Sequence, residues 1–300
     1  MKKKVLLWLG SLLMLISLVG CNSAQLPQYD ALKSLGPQIN YTITGIEAGA
    51  GIMGNANQAL TSYHLKEQKW QLMTSSTAAM ISTLDKATKN KQPIVVTAWQ
   101  PHWMVAKYHL KFLKDPKHIF GTGESMQTVA RLGLKKDKPG AYQFLENFHW
   151  QLKQAIPVML KINAGASTKT TVKHYVQQHP QQVQQWLKNV PAGHGQKLTL
   201  VYMPYDYETA TTHLAQYVLN KKGYNVEIRQ LDVGVMWSAL ASHSADATLT
   251  AELPVTHQLY AKKYRHKVDF IRKNLTGAKT GLAVPRYMTN VNSVEDLINK

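Results

Sequence analysis

Two apolar rhythms alternate along the chain once it passes residue 38. Short runs rich in β-branched and aromatic residues, at 42–46, 70–73 and 93–99, read as strands. Between them lie stretches with helical spacing. Met53, Ala56, Leu60 and Tyr63 define one apolar face, and 78–87 defines a second helix. The order recurs later, with strands at 198–202, 225–228 and 247–251 and helices at 211–219 and 235–241. Such alternation predicts an α/β architecture.

The two passes also share wording. Thr97-Ala98-Trp99-Gln100-Pro101 ends the first and Thr250-Ala251-Glu252-Leu253-Pro254 ends the second. Gly51 precedes Met80 by 29 residues, and Tyr205 precedes Met236 by 31. Two similar lobes whose loops leave the carboxyl ends of their strands predict a ligand cleft between them.

The start of the chain bears on compartment. Lys2, Lys3 and Lys4 precede an apolar run from Val5 to Val19, a run short for a membrane span and laid out like a secretory signal. It ends in Leu18-Val19-Gly20-Cys21, which resembles a bacterial lipobox. Residues 1–20 are therefore expected to be a signal peptide, with Cys21 lipidated and residues 21–38 a polar tether. Cys21 is the only cysteine, so no disulfide can form within the chain and the core alone must hold it.

The formal charge is +18, or +15 without the three leading lysines. The lysines are spread along the chain and no nucleic-acid motif accompanies them, so the excess reads as a solvated basic surface. The body lacks a cysteine nucleophile, and it contains neither a Gly-x-Ser-x-Gly nor a His-Glu-x-x-His nor a P-loop pattern. Its histidines lack metal-ligand spacing. The expectation is a binding protein without catalysis, cofactor or metal, and a surface adhesin is the rival from another class.

Several pieces together resemble the glycine betaine/proline betaine-binding lipoproteins of ABC uptake systems. They are Gly49-Ala50-Gly51-Ile52-Met53, Thr97 through Met104, Leu113 through Lys117, Asn147 through Trp150, Leu253 through His257, and Gly281 through Met288. The similarity runs from about Tyr41 to Lys300, in the branch whose two halves are exchanged in order. It implies a two-lobed periplasmic-binding-protein-like (type II) fold with a two-strand hinge. One lobe would take residues 39–106 plus 279–300 and the other 107–278. It also implies a monomer on the extracytoplasmic face of the cell membrane, delivering its ligand to a permease driven by a separate ATPase.

The resemblance implies a site as well. A quaternary ammonium has no N–H to donate, so electron-rich rings are its natural partners. Trp99 matches a cage tryptophan, and Tyr205 falls where relatives carry another, with Tyr202 and Tyr207 as alternatives. Backbone N–H groups at Gly51-Ile52 and the side chain of His257 match the groups that hold the ligand carboxylate. His102 and Trp103 are expected to pack behind the site. Glu252 departs from the pattern, standing where relatives place a third tryptophan. It raises the alternative of an amino acid or a less methylated amine, whose N–H groups a carboxylate can accept.

Overall fold

The structure, a computed structural model, describes residues 27–298. The expected signal peptide and Cys21 lie outside the described residues.

Each pass of the pattern folds as a β-α-β-α-β unit. In the first, β1 (Thr42–Thr44), β2 (Gln71–Met73) and β3 (Val95–Gln100) are parallel in the order β2-β1-β3. Parallel neighbours need crossovers, supplied here by the helices Gly51–Ser62 and Thr77–Lys89. The first buries Ile52, Met53, Ala56, Ala59 and Leu60, a stripe at three- and four-residue spacing. The second starts where the Ser76 side chain accepts a hydrogen bond from the Ala79 N–H at 3.1 Å.

The later unit repeats the topology. After β4 (Leu110–Phe112) and β5 (Glu124–Arg131) come β6 (Lys197–Tyr202), β7 (Asn225–Gln230) and β8 (Ala247–Leu253). β6 pairs in parallel with both β7 and β8, giving the same arrangement as the first unit. Their crossovers are the helices Asp206–Lys221 and Val233–Ala241. The helices from Pro139 to Trp186 precede this unit, and Thr168–Gln178 and Leu152–Asn163 pack on Asp206–Lys221.

The two units are joined by β9 (Val268–Pro285), an 18-residue strand. Its first part pairs antiparallel with β5, as far as Glu124 opposite Ala278. Its second part pairs with β3, from Gln100 opposite Lys279 to Val96 opposite Ala283. The strand order is β2-β1-β3-β9-β5-β8-β6-β7, so one continuous sheet crosses the molecule. The other crossing is the segment 113–123. Asp115 pins it by accepting from the Tyr63 hydroxyl at 2.5 Å and from the Phe120 N–H at 2.7 Å.

Two contacts lie close to the expected divisions. β4 lies beyond the expected division at residue 107, yet it pairs with β9 at Ala283–Pro285 on the β3 side of the molecule. The part of the expected tether within the described residues is docked. The Tyr29 N–H donates to the Lys91 carbonyl at 2.8 Å, the Asn290 side chain donates to the Ala31 carbonyl at 2.6 Å, and Leu35 is buried. Polar composition hid the hydrophobic anchor there, Leu35, which Ile39 joins just past the expected boundary. The chain's other end packs on the same half, where the Trp70 indole N–H donates to the Leu297 carbonyl at 2.9 Å.

Candidate functional site

The matching strands β3 and β8 lie in the one sheet, separated by β9 and β5. Each is followed by a cis peptide bond, Gln100–Pro101 and Leu253–Pro254. The helix Gly51–Ser62 begins beside them, and Ala50 at its cap offers no side-chain acceptor. The leading N–H groups and the positive end of the helix dipole are thus left for another partner. This helix start is pressed on the opposite unit: a Cβ on Gly51 would stand 3.2 Å from Thr256 Cγ2.

Trp99 stands at the end of β3, half-buried. Its ring meets that of Tyr205, the cap residue of helix Asp206–Lys221, at 6.2 Å and 65°, so two aromatic faces from different units form a corner. Tyr205 is the tyrosine placed there. Tyr202 is buried against His213, and Tyr207 is buried against Trp150. Burial, reinforced by the carboxylates Glu252, Glu208, Glu47 and Asp232, pushes the Tyr205 phenol up to about 12. It therefore remains a hydroxyl at neutral pH.

His102 packs behind Trp99, with ring centroids 4.6 Å apart in an edge contact. Its Nδ1 accepts the Met104 N–H at 3.1 Å, which places the proton on Nε2 to donate to Asp206 Oδ2 at 3.0 Å. That bond ties the first unit to the second. Trp103 is buried beside His102.

His257 is also buried, and its Nδ1 accepts the Glu252 N–H at 3.0 Å. Burial lowers its pKa to about 3, so the ring is neutral at pH 7 and carries its proton on Nε2. Trp237 meets it edge-on at 6.1 Å, in a packing role. Ile52 is buried, leaving its backbone rather than its side chain for any contact.

Glu252 is partly buried at the end of β8. Burial, then Glu208 and Glu124, raise its pKa well above the usual carboxylate range. Glu208, 3% exposed on the first turn of its helix, is raised to about 8 by burial and by Asp206. Glu124 is buried nearby and fully engaged: its carboxyl accepts the Val255 and Thr256 N–H groups at 3.2 and 2.5 Å and the Thr256 hydroxyl at 2.8 Å. Sequence reasoning missed Glu208, Glu124 and Asp206. An acid in the first turn of a helix reads as dipole compensation, and only the tertiary fold buries Glu208.

A profile of the substrate-binding domain of ABC-type glycine betaine transport systems matches residues 23–178 and 196–300. The glycine betaine/carnitine transport binding protein GbuC of Listeria monocytogenes serotype 1/2a (strain 10403S) is 46% identical over 297 residues, 99% of each chain. The chain belongs to this glycine betaine substrate-binding family. The family comprises transport binding proteins rather than catalysts, and binding proteins of ABC importers work outside the cytoplasm in association with the membrane. Among solved structures, lactococcal OpuAC in its closed form with glycine betaine is 41% identical over 55% of this chain and 64% of that one, with a TM-score of 0.47. The glycine betaine/L-proline-binding protein ProX of Borrelia burgdorferi is 29% identical over 55% and 62%, with a TM-score of 0.44. Among the described residues of this family member, no group of His, Cys, Asp and Glu has the arrangement of a metal site.

Proposed function

We propose that this protein is the capture subunit of an ABC importer, binding glycine betaine or a closely related quaternary ammonium solute and passing it to a membrane permease. The observation that carries the reading is the corner formed by Trp99 and Tyr205, one ring from each unit, in a chain of the betaine-binding family. Each aromatic face contributes about 0.5–2 kcal/mol toward a methylated cation, depending on how dry the contact is. The carboxylate end of the solute would lie toward the Gly51-Ile52 N–H groups and the His257 Nε2–H. Both are neutral donors that hold an anion without a competing proton equilibrium at neutral pH.

The chemistry calls for two moving lobes. One would carry β1–β4 with the C-terminal tail, the other β5–β8, and the crossings at 113–123 and at residues 278–279 of β9 would flex between them. Ligand bridging the lobes selects a closed form, and the observed affinity is the contact energy less the cost of closing. Lipidation at Cys21 would keep a monomeric body beside its permease. An amino acid or less methylated amine, the alternative raised by Glu252, is not favoured by the family match.

Calorimetric titration with glycine betaine, carnitine, choline and proline tests the reading. Saturable binding of glycine betaine is expected, with proline much weaker because its ring nitrogen presents N–H groups to the aromatic corner. Binding of proline alone would refute the ligand class.

A further inference from the structure

Behind the aromatic corner lies a polar contact that an aromatic cage does not itself require. His102 is 2% exposed, and its ring is held at three points: against Trp99 at 4.6 Å, beside Trp103 at 5.2 Å, and through Nδ1 to the Met104 N–H at 3.1 Å. The group left over is Nε2–H, and it reaches Asp206 Oδ2 at 3.0 Å, on the first turn of the helix that Tyr205 caps. We infer that His102 and Asp206 are positioning residues that form a closing latch: their bond is made only when the lobes meet, and it fixes the Trp99–Tyr205 corner around the ligand's cationic head. The inference rests on the function proposed above.

The chain places each end of the bond next to one ring of the corner. His102 lies in edge contact with Trp99, and Asp206 directly follows Tyr205. The two rings stand 6.2 Å apart at 65°, so a tie between their neighbours also sets their mutual angle. The imidazole cannot follow Asp206 as the lobes part. The Met104 N–H and two indoles keep it in its own lobe, and Asp206 belongs to a 16-residue helix of the other. A hinge motion that moves the start of this helix away by about 1 Å already stretches the contact beyond hydrogen-bond range.

A carboxylate that accepts an imidazole N–H makes a charge-assisted bond, stronger than a neutral one. In the open form both groups turn to water, so the latch contributes only the net of an exchanged hydrogen bond. It does not close the empty protein by itself. It lowers the cost of closing once a ligand bridges the two rings. The effect therefore belongs to release. Ligand enters the open form, where the bond is unmade, and leaves the closed form, where the bond must break. His257 has the same layout, with Nδ1 on a backbone N–H and Nε2–H as the donor proposed above for the ligand carboxylate. His102 grips a carboxylate of the protein instead.

The test is stopped-flow binding of glycine betaine to the full-length chain, followed by tryptophan fluorescence, with changes at Asp206, whose side chain is 31% exposed. Asp206→Ala should release betaine about tenfold faster, with the association rate within about twofold of the unmodified chain. Asp206→Asn keeps an oxygen for the imidazole N–H, so its release rate should return to within about threefold. In a His102→Ala background, Asp206→Ala should have no further effect on release. The alanine–asparagine comparison stands by itself where the buried His102 does not tolerate truncation. Release from Asp206→Ala at the unmodified rate overturns the latch, as does a loss carried by slower association. Asparagine as fast as alanine assigns the effect to charge and overturns it too. Each of these leaves the proposed function standing, whereas absence of betaine binding by the unmodified chain overturns both.

Discussion

The ends of β3 and β8 are one piece of backbone used twice. Thr97-Ala98-Trp99-Gln100-Pro101 and Thr250-Ala251-Glu252-Leu253-Pro254 both close with a cis-proline, and both deliver their third residue to the meeting of the two units. A histidine follows each. His102 spends its Nδ1 on the Met104 N–H and His257 spends its own on the Glu252 N–H, so each is left with an Nε2–H to donate. What differs is the cargo. The first copy carries an indole whose histidine reaches across to Asp206. The second carries a carboxyl whose histidine is kept neutral by burial. A repeated scaffold sets position, and the side chain placed on it sets chemistry.

That contrast can be broken at several points. The largest effect is expected from Trp99→Ala, which removes a face of the proposed cage and the ring packed on Tyr205 and His102. Betaine affinity should fall about 10–100-fold in calorimetry with the fold retained by circular dichroism. His257→Ala should come next, at about tenfold in affinity. It also leaves the Glu252 N–H without its acceptor, so thermal unfolding should show a loss of about 1–3 kcal/mol.

His257 of the second copy and Glu208 on the helix Asp206–Lys221 also give stability a shape in pH. His257 is lowered from 6.5 to about 3, so the unfolded state binds more protons between those values and stability falls as pH drops through that window. Glu208 is raised from 4.5 to about 8, so the folded state binds more protons there and stability falls as pH rises toward 8. Ligand-free thermal unfolding should therefore peak at mildly acidic pH. Glu208→Gln should flatten the alkaline side alone, and an unchanged alkaline slope would show that Glu208 titrates normally. The smallest effect is expected from Tyr205→Phe. It keeps the ring against Trp99, so betaine affinity should stay within about twofold, whereas a tenfold loss would assign the hydroxyl a direct contact.

The fold was legible wherever one periodicity ruled. The two β-α-β-α-β units could be read because their strands are buried runs and their helices carry clean stripes, as at Met53, Ala56 and Leu60. β9 was not legible. Its alternating buried and exposed positions are interrupted by lysines and by Gly277 at φ 82°, because it serves different partners along its length and shifts register against β5. The placement of Tyr205 beside Trp99 could be narrowed only to a tyrosine-rich stretch, since which of three neighbouring rings faces out depends on where the helix begins. Glu208 and Glu124 carried no signal at all. Each is an ordinary acid in its local context and becomes unusual only in the fold, Glu208 by burial and Glu124 through Val255 and Thr256, more than a hundred residues away in the chain.

β9 also decides what can be cut. Because a single strand supplies the antiparallel neighbour of β3 in one unit and of β5 in the other, neither unit owns a complete sheet. Either half expressed alone would expose an unpaired strand edge, the template on which chains pair with copies of themselves. Along β3 the register of β9 is unbroken, and a slip of one position there would turn every side chain after it to the opposite face. The two lobes are a repeat in sequence but a single indivisible unit in manufacture, and a library that shuffles them must break the chain somewhere other than at their junction.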